Sequence, residues 1–422
     1  MPELLPFEGV HFNPDRVGGD LGPVLSPPYD VVGEEDARRL EAQHPYNCVR
    51  LELCIPPADP PPARYNEAAA RWSSWRHEGI LVRDPVPSLY VYRHSFLHGG
   101  CRLVRTALVG RLGGGVMPHE ETMTAPREDR LHLLRACRAQ FSPILALYED
   151  PRGRVASQVE AVLSGRSPDL VAQLGGEELR VWRLDDRALV NSVVAALAPL
   201  RAVIADGHHR YESVGRFAWE RTGRDGRAAV LAALVSTGDP GLVVLPTHRL
   251  VRSAGTAQRL IDAVSGVFGS AGEVAPMAAP AGDKRWPAKG AAFLESLAES
   301  GGSKTTLVAA SRDRAWAISS DRDTAGVLEL VDRVVDGVLG VEGAPGGSPV
   351  VEYTRDATSA VQEVLSGRAE IAFLVPSVSV DEVFRKACQG YRFPRKTTYF
   401  YPKVPAGLVM CDLELPRSTG HR

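Results

Sequence analysis

The sequence predicts an α+β or mixed α/β fold. Segments that alternate like strands and segments with helical periodicity intermix along the 422 residues, without strict strand–helix–strand order. The chain is 44% hydrophobic and 24% charged, the balance of an ordinary soluble globular protein. This length is enough for two or three domains with sizeable cores. We predict a core domain over residues 1–250 and a second α/β domain over residues 251–422.

The N-terminal elements follow from breakers and periodicity. Ser26-Pro27-Pro28-Tyr29-Asp30 fixes an extended backbone, because a residue before proline avoids the helical region. A helix is predicted over residues 34–43. Five prolines in residues 56–62 predict a stiff loop, and a helix follows over residues 63–78. Residues 87–112 alternate as two strands, with His98-Gly99-Gly100 as the turn of a hairpin.

The second half of the predicted core domain alternates helices and strands. We predict a helix over residues 127–139, a strand over 141–148, and a helix, short strands and a helix over 153–200. Ala202–Ala205 is an apolar run that predicts a strand, followed by a tight glycine turn and a helical pattern from Tyr211 to Arg221. Two buried strands are predicted at residues 228–236 and 242–245.

The predicted second domain begins with loops around one short helix in residues 270–303, a stretch rich in Ala, Gly and Pro. Two β-like runs, a helix and a loop are then predicted over residues 304–318, 327–339 and 342–349. A strand–helix–strand unit follows over residues 350–376 and a helix over 380–389. The basic, aromatic segment Phe393–Lys403 closes the predicted elements.

Composition excludes several classes of function. The net charge of −2 offers no general attraction to nucleic acid or membranes, so we expect neither as a partner. Six cysteines without a C-x-x-C pair argue against a disulfide scaffold, a zinc ribbon or a dithiol redox site. The sequence shows no signal-peptide pattern and no long apolar run, so we expect a cytoplasmic protein. Serine-elbow, dinucleotide and P-loop motifs are missing from the sequence as well.

The strongest candidate site is Asp206-Gly207-His208-His209-Arg210. The predicted turn delivers two histidines and an arginine to a helix N-terminus, where backbone amides and the helix dipole favour anions. Gly207 permits a turn that other residues resist, and Arg210 can bind phosphate bidentately. Asp206 can cap the helix or hold Mg²⁺. The alternative interpretation is a capped helix with histidines on its surface.

A second candidate is Pro118-His119-Glu120-Glu121-Thr122, followed by Asp129 and Arg130. A carboxylate beside a histidine can act as a general base toward a hydroxyl group. Taken by itself, this segment is more simply interpreted as a polar loop with a helix cap.

Two further segments supply binding groups. Residues 395–403 carry an arginine and two lysines, Lys396 and Lys403, among tyrosine and threonine hydroxyls such as that of Tyr399. Such a loop can hold a phosphate or a carboxylate, or it can be a solvated basic segment. Near the N-terminus, the preceding prolines hold Tyr29 and Asp30 rigidly.

Together these segments resemble, almost end to end, a bacterial family catalogued only as domain of unknown function 1015. The resemblance rests on long motifs that occur in the same order: Pro27-Pro28-Tyr29-Asp30-Val31-Val32, His119-Glu120-x-Thr122 with Asp129-Arg130, Phe141-Ser142-Pro143-Ile144, Ala205-Asp206-Gly207-His208-His209-Arg210-Tyr211-Glu212 and Lys396-Thr397-Thr398-Tyr399-Phe400-Tyr401-Pro402-Lys403. The family name implies no function.

A second, more local resemblance does imply one. Free-serine kinases of the ParB/sulfiredoxin-like superfamily are similar at Pro118-His119-Glu120 and at Asp206-Gly207-His208-His209-Arg210. The resemblance implies a ParB/sulfiredoxin-like phosphate-binding core, with an insertion over roughly residues 150–190. It implies that Glu120 activates the acceptor hydroxyl, and that the turn binds nucleotide phosphates. It assigns phosphate contacts to His119, His208, His209 and Arg210, of which His119 and His209 would also assist catalysis.

The leading hypothesis is therefore a small-molecule kinase. ATP or ADP would donate a phosphoryl group to the hydroxyl of serine or a similar amino acid, since positioning and charge stabilisation dominate such reactions. Mg²⁺ would bridge the phosphates with Asp206 or Glu121 as ligands. Lys396 and Lys403 would bind phosphate or the substrate carboxylate. The remaining substrate contacts are assigned to Tyr29, Asp30, Arg130 and Tyr399.

Three alternatives remain open at the level of sequence. A phosphohydrolase would use the same turn with water as the acceptor. A nucleotide-binding module of the CTP type would bind without turnover. The motifs could also hold the domains together through buried charge networks. A homodimer is compatible with the sequence, which does not fix the oligomeric state.

Overall fold

The computed structural model has a mixed α/β fold, as predicted. It describes residues 2–53, 61–223, 228–252, 257–268, 271–275, 286–299, 304–339, 351–394 and 396–414. The loops predicted over residues 56–62 and 342–349 lie wholly or mostly outside these ranges, as does part of the stretch 270–303. No helix in the described ranges is both long and apolar enough to cross a membrane.

Helices occur throughout the described residues. Their bounds are α1 Pro14–Val17, α2 Glu34–Gln43, α3 Val49–Glu52, α4 Pro61–His77, α5 Thr124–Cys137, α6 Arg154–Leu163, α7 Arg187–Leu197, α8 His208–Thr222, α9 Ala257–Phe268, α10 Trp286–Glu299, α11 Thr324–Leu339, α12 Ala357–Leu365 and α13 Val380–Cys388.

The strands are mostly short. Their bounds are β1 Glu3–Leu5, β2 Gly9–Phe12, β3 Leu81–Arg83, β4 Leu89–His98, β5 Cys101–Gly113, β6 Val116–Met117, β7 Ala139–Gln140, β8 Ile144–Tyr148, β9 Leu170–Leu174, β10 Glu177–Leu184, β11 Ala202–Asp206, β12 Val230–Ser236, β13 Val243–Leu245, β14 His248–Val251, β15 Ala271–Ala275, β16 Thr305–Ser311, β17 Ala315–Ser320, β18 Val351–Thr354, β19 Ile371–Leu374, β20 Tyr399–Tyr401 and β21 Met410–Asp412.

The chain divides into two compact units. One contains residues 1–243, 384–391 and 402–422, and the other contains residues 244–383 and 392–401. Two later segments of the chain, residues 384–391 and 402–422, therefore belong to the first unit, although most of the second unit precedes them in sequence. The predicted domain ranges, 1–250 and 251–422, stay a prediction, because contact density does not test where independently folding domains end.

The first unit is built on a nine-stranded sheet. Its order is β6–β11–β8–β12–β5–β4–β10–β9, and β1 also pairs with β5. The predicted hairpin is confirmed, since β4 and β5 pair antiparallel up to the position where His98 faces Cys101. β8 runs parallel to β12 and antiparallel to β11. All five β8 side chains are buried, as expected for a strand with neighbours on both sides.

One face of this sheet packs against helices. Leu89, Val91 and Leu108 of the hairpin belong to a core cluster that also includes Val155 of α6 and Val193 of α7. These apolar residues recur with the period of a strand or of a helix, so each element buries one apolar face in the cluster. This shared burial holds the sheet and the helices together.

A small four-stranded sheet in the order β3–β2–β21–β7 completes the first unit. In it, Cys411 faces Gly9 on one side and Gln140 on the other. This sheet places the segment that begins at Pro402 against strands from far earlier in the chain. Its strands have two to four residues, too few for alternation to reveal them in the sequence.

The second unit has a six-stranded sheet in the order β15–β17–β16–β19–β14–β18. Its core cluster joins Leu250, Val308 and Leu374 of the sheet with Val361 and Val364 of α12. The two β-like runs and the strand–helix–strand unit predicted here are confirmed.

Two predicted boundaries shift for identifiable reasons. The strand predicted from residue 141 begins at Ile144, after Pro143, which lacks the N–H that a ladder needs. The helix predicted from Tyr211 begins at His208. His208, His209 and Arg210 therefore form the first turn of α8 and are not part of the preceding connection.

Candidate functional site

The connection between β11 and α8 is a single glycine. Gly207 is the N-cap of α8 and has φ +88°, a left-handed conformation that favours glycine. A Cβ at this position would lie 2.8 Å from Ile144 Cγ2 and 2.9 Å from Arg210 Nη2. Space and backbone conformation both require glycine here. Glycine also leaves the first amides of α8 without a side-chain cap.

Asp206 lies between two cationic side chains. Arg210 Nη2 donates to its Oδ2 at 2.9 Å, and Lys403 Nζ contacts its Oδ1. Burial alone would raise the pKa of the Asp206 carboxyl, but Lys403 and Arg210 outweigh it and lower this pKa to about 2. Asp206 is therefore a carboxylate at neutral pH, and it fixes both cations in place.

Arg210 has further buried acceptors. Its Nη1 donates to Ser142 Oγ at 3.0 Å and to the Pro143 carbonyl at 2.6 Å. Ser142 Oγ in turn donates to Glu52 Oε1. The Glu52 side chain is 4% exposed, and burial raises the pKa of its carboxyl despite the nearby Arg130 and Arg210.

Tyr29 and Arg130 lie beside this network. The Arg130 guanidinium stacks on the Tyr29 ring, with Cζ 4.0 Å from the centroid, and Nη1 donates to the Glu52 carbonyl at 2.9 Å. Burial raises the pKa of the Tyr29 hydroxyl to about 12, although Arg130 and Arg210 act in the opposite direction. Tyr29 is therefore a neutral phenol here. Asp30 is more exposed and lies 3.9 Å from Lys403 Nζ.

The histidines join the start of α8 to the loop before α5. The backbone N–H of His119 donates to His208 Nε2 at 3.3 Å, and that of Met123 donates to His209 Nε2 at 2.9 Å. The His119 and His208 rings also meet edge to face, with centroids 4.7 Å apart. Because Nε2 accepts in both rings, His208 and His209 each carry a proton on Nδ1, where each is a donor.

The same loop carries the predicted base. Glu120 is half-buried and Glu121 is exposed. Thr122 Oγ1 donates to Glu212 Oε2 of α8 at 2.6 Å, so the loop meets the helix again one turn further along.

The structure thus gathers most of the predicted site residues within the first unit. Five separate segments supply this group of residues: Tyr29, Asp30, His119, Glu120, Arg130, Asp206, Gly207, His208, His209, Arg210 and Lys403. Lys396 and Tyr399 belong to the second unit. Lys396 has φ +60°, and the Tyr399 ring stacks with Arg355 at 3.9 Å. Their assignment to the site stays a prediction.

Metal ligation by Asp206 and Glu121 also stays a prediction. Both Asp206 oxygens contact a cationic side chain. Across the residues described, no three His, Cys, Asp or Glu side chains are grouped closely enough to hold a metal ion. Binding of Mg²⁺ by Asp206 would therefore require displacement of Lys403 or Arg210 from this carboxylate.

Sequence reasoning missed Glu52 and Ser142. Glu52 lies in Val49-Arg50-Leu51-Glu52-Leu53, where apolar and charged residues alternate, so the sequence does not mark this acid as buried. Ser142 stood in one of the motifs, but nothing in the sequence linked it to Arg210.

A family model described as "Protein of unknown function (DUF1015)" matches residues 4–336. The chain belongs to the DUF1015 family. The sequence resemblance described above is thereby confirmed, and four of its five motifs lie inside the matched range, while the Lys396–Lys403 motif lies beyond it. No curated protein matches this DUF1015 chain.

Several solved structures are similar to the DUF1015 chain at low identity. A conserved hypothetical protein from Pyrococcus furiosus has 15% identity and a TM-score of 0.37, covering 69% of this chain and 90% of its own. A free serine kinase in complex with AMP has 13% identity and a TM-score of 0.37, with coverages of 68% and 83%. SbnI from Staphylococcus aureus, truncated at its C-terminus, has 12% identity and a TM-score of 0.36, with coverages of 70% and 84%.

Proposed function

We propose that this protein is a nucleotide-dependent phosphotransferase whose active site lies at the start of α8. ATP or ADP is the donor, and the hydroxyl of free serine or a similar hydroxy amino acid is the acceptor. The observation that carries the proposal is the convergence of Arg210 and Lys403, through Asp206, at a glycine-capped helix N-terminus. Sites of this kind bind phosphate through backbone amides and cationic side chains.

Phosphoryl transfer requires positioning and charge stabilisation more than covalent chemistry. Asp206 and Ser142 hold the Arg210 guanidinium in one orientation, so little side-chain entropy is lost when a phosphate binds. His208 and His209 accept from the amides of His119 and Met123, which ties the first turn of α8 to the loop that carries Glu120.

Glu120 is the proposed general base, following the resemblance of its segment to the free-serine kinases. It lies next to His119, whose backbone amide is bonded to α8, so the base and the phosphate site belong to one connected unit. Its role is to accept the proton of the attacking hydroxyl. Mg²⁺ accompanies nucleotides in most such reactions, but we assign it no ligand here because Asp206 is held by two cations.

The test is phosphorus NMR of the full chain with Mg²⁺, each of ATP, ADP and CTP, and a pool of free amino acids. We expect a new phosphomonoester resonance that requires one hydroxy amino acid. Glu120→Gln should abolish it while leaving nucleotide binding largely intact. Glu35→Gln, which replaces an exposed carboxylate of α2 in the same unit, is the matched control and should retain turnover.

Other outcomes would replace the proposal. Free phosphate without a phosphorylated amino acid would indicate a phosphohydrolase. Binding of CTP without any turnover would indicate a nucleotide-binding module. If no nucleotide binds and His209→Ala only lowers stability, the network around α8 is structural.

A further inference from the structure

One face of α8 is turned toward the loop before α5 and the first turn of α5. His209, Glu212 and Ser213 share this face, because they stand at positions i, i+3 and i+4 of the helix. Each of them makes a hydrogen bond to the loop or to α5. Glu212 and Ser213 are not among the residues proposed above to bind substrate or nucleotide.

Glu212 contacts both the loop and α5. The Thr122 hydroxyl donates to its Oε2 at 2.6 Å, a length typical of a hydrogen bond from a hydroxyl to a carboxylate. Arg127 Nη1 donates to the same oxygen at 3.3 Å. The side chains of Glu212 and Arg127 are 39% and 32% exposed. Because the contact lies at the surface, its removal should change the position of the loop without unfolding α8.

The hydrogen bond from Thr122 restricts the backbone at Glu120. The same loop is also held at His119, whose backbone N–H donates to the first turn of α8 at 3.3 Å. Only Glu120 and Glu121 lie between these two fixed residues, and a span of two residues has few conformations once both ends are held. The position of the Glu120 backbone therefore depends on the hydrogen bond between Thr122 and Glu212.

The beginning of α5 is anchored on α8 by contacts that do not involve Glu212. Its N-cap residue, Met123, makes no side-chain cap, and the Met123 N–H instead donates to His209 Nε2 at 2.9 Å. The buried Ser213 hydroxyl lies 2.8 Å from the Arg127 carbonyl. These contacts remain when Glu212 is replaced, so Glu212 acts on the loop and not on the packing of α5 against α8.

We infer that Glu212 is a positioning residue for the proposed phosphoryl transfer. By holding the Thr122 hydroxyl, it keeps Glu120 in one position relative to the start of α8, where the phosphates are proposed to bind. Small displacements matter, since a shift of about 1 Å in a reacting group can lower a rate about a hundredfold. This role rests on the proposed function, whereas the attachment of the loop by Glu212 does not.

The experiment measures kcat and KM of the full chain with Mg²⁺, ATP or ADP, and L-serine. We expect Glu212→Ala and Thr122→Val each to lower kcat about tenfold, the size of one hydrogen bond to a charged group, with the KM for nucleotide within about twofold of the wild-type value. The double variant should lose no more than either single variant, because both substitutions remove the same hydrogen bond. Glu212→Gln should recover most of the lost kcat, since its amide oxygen still accepts from Thr122.

Glu220→Ala is the matched control. Glu220 lies on α8 about two turns beyond Glu212 and pairs with Arg135 of α5, so it joins the same two helices at a distance from the loop. This variant should keep the wild-type kcat. A role of Glu212 in stability alone would lower the urea midpoint of Glu212→Ala and leave the kcat of the folded enzyme unchanged.

Amide hydrogen exchange tests the attachment of the loop without phosphoryl transfer. In Glu212→Ala the amides of His119 and Met123 should exchange about tenfold faster than in the wild type, because the loop leaves α8 more readily. Glu220→Ala should leave both exchange rates unchanged.

Three results would overturn the inference: an unchanged kcat in Glu212→Ala, independent losses that add in the double variant, or unchanged exchange at His119 and Met123. If Glu120→Gln abolishes turnover while Glu212→Ala keeps the wild-type kcat, the inference fails and the proposed function stands. If the wild type transfers no phosphoryl group, the proposed function fails and the catalytic role of Glu212 fails with it. Faster exchange in Glu212→Ala would then still establish that Glu212 holds the loop on α8.

Discussion

Replacing Lys403 by methionine should destabilise the first unit by about 2 kcal/mol. Lys403 is 10% exposed and contacts Asp206 Oδ1, so the substitution leaves a buried carboxylate with Arg210 as its remaining partner. The folded-state pKa of Asp206 is about 2, against an ordinary 3.8. A shift of that size corresponds to about 2 kcal/mol. Loss of one partner from a buried ion pair costs about 3–5 kcal/mol. Because Arg210 remains as a partner of Asp206, we expect the smaller loss of about 2 kcal/mol.

Urea unfolding at pH 7, followed by circular dichroism and tryptophan fluorescence, measures this difference. The matched control is Arg38→Met, which breaks an exposed pair with Glu34 in the same unit. Exposed pairs contribute little, so the control should stay within about 0.5 kcal/mol of the wild type.

The pH dependence of the free energy of unfolding tests the same ion pair. The pKa of Asp206 is lower in the folded state, so its contribution is present above pH 3.8 and is lost as the pH falls toward 2. In Lys403→Met that pKa rises toward its ordinary value, and the acid limb of the stability curve should become shallower. If Lys403→Met matches Arg38→Met at pH 7 and shows the wild-type acid limb, the argument from paired burial is wrong.

Three further substitutions test separate features. Gly207→Ala should lower stability by more than Gly223→Ala in equilibrium unfolding, because both glycines flank α8 at positive φ but only Gly207 has atoms within 3 Å of a new Cβ; equal losses would contradict the steric argument. Glu52→Gln should become more stable than the wild type as the pH rises above 4.5. The pKa of Glu52 is raised in the folded state, so the wild type loses stability once this acid ionises in the unfolded chain. A difference in urea midpoint that does not vary with pH would refute this. Asp84→Asn should lower the free energy of unfolding by about 2 kcal/mol at pH 7, because His11, Tyr90 and Arg183 outweigh burial and lower the pKa of Asp84 to about 2. This loss should shrink as the pH falls below 3.8. A loss that is the same at every pH would contradict the prediction.

Local features of this fold were accessible from the sequence. The β4–β5 hairpin follows from alternation around Gly99-Gly100, and the strand before Asp206 follows from an apolar run. The start of α8 was predicted three residues late because two adjacent histidines are weak helix formers, and here their rings are held by the amides of His119 and Met123. Tertiary hydrogen bonds thus overrode local propensity.

The site was predictable in its composition but not in its assembly. Asp206 and Arg210 are four positions apart on β11 and α8, so their pairing is local, although the sequence suggested a cap or Mg²⁺ for Asp206 and phosphate for Arg210. Lys403 is 197 residues from Asp206, and periodicity in a single sequence does not specify such a contact. Glu52 was missed because Ser142, which donates to its carboxylate, lies 90 positions further along the chain.

The placement of β21 has a consequence for biosynthesis. Lys403 and β21 complete the first unit, yet they are translated after the whole of the second unit, roughly 170 residues beyond Val243. At about 5–20 residues per second, a ribosome needs roughly 10–30 s for that interval. During it the edges of β2 and β7 lack their shared neighbour, and Asp206 lacks one of its cations. The nascent first unit is therefore incomplete during this interval, and the candidate site is completed only after residues 403–412 have been translated.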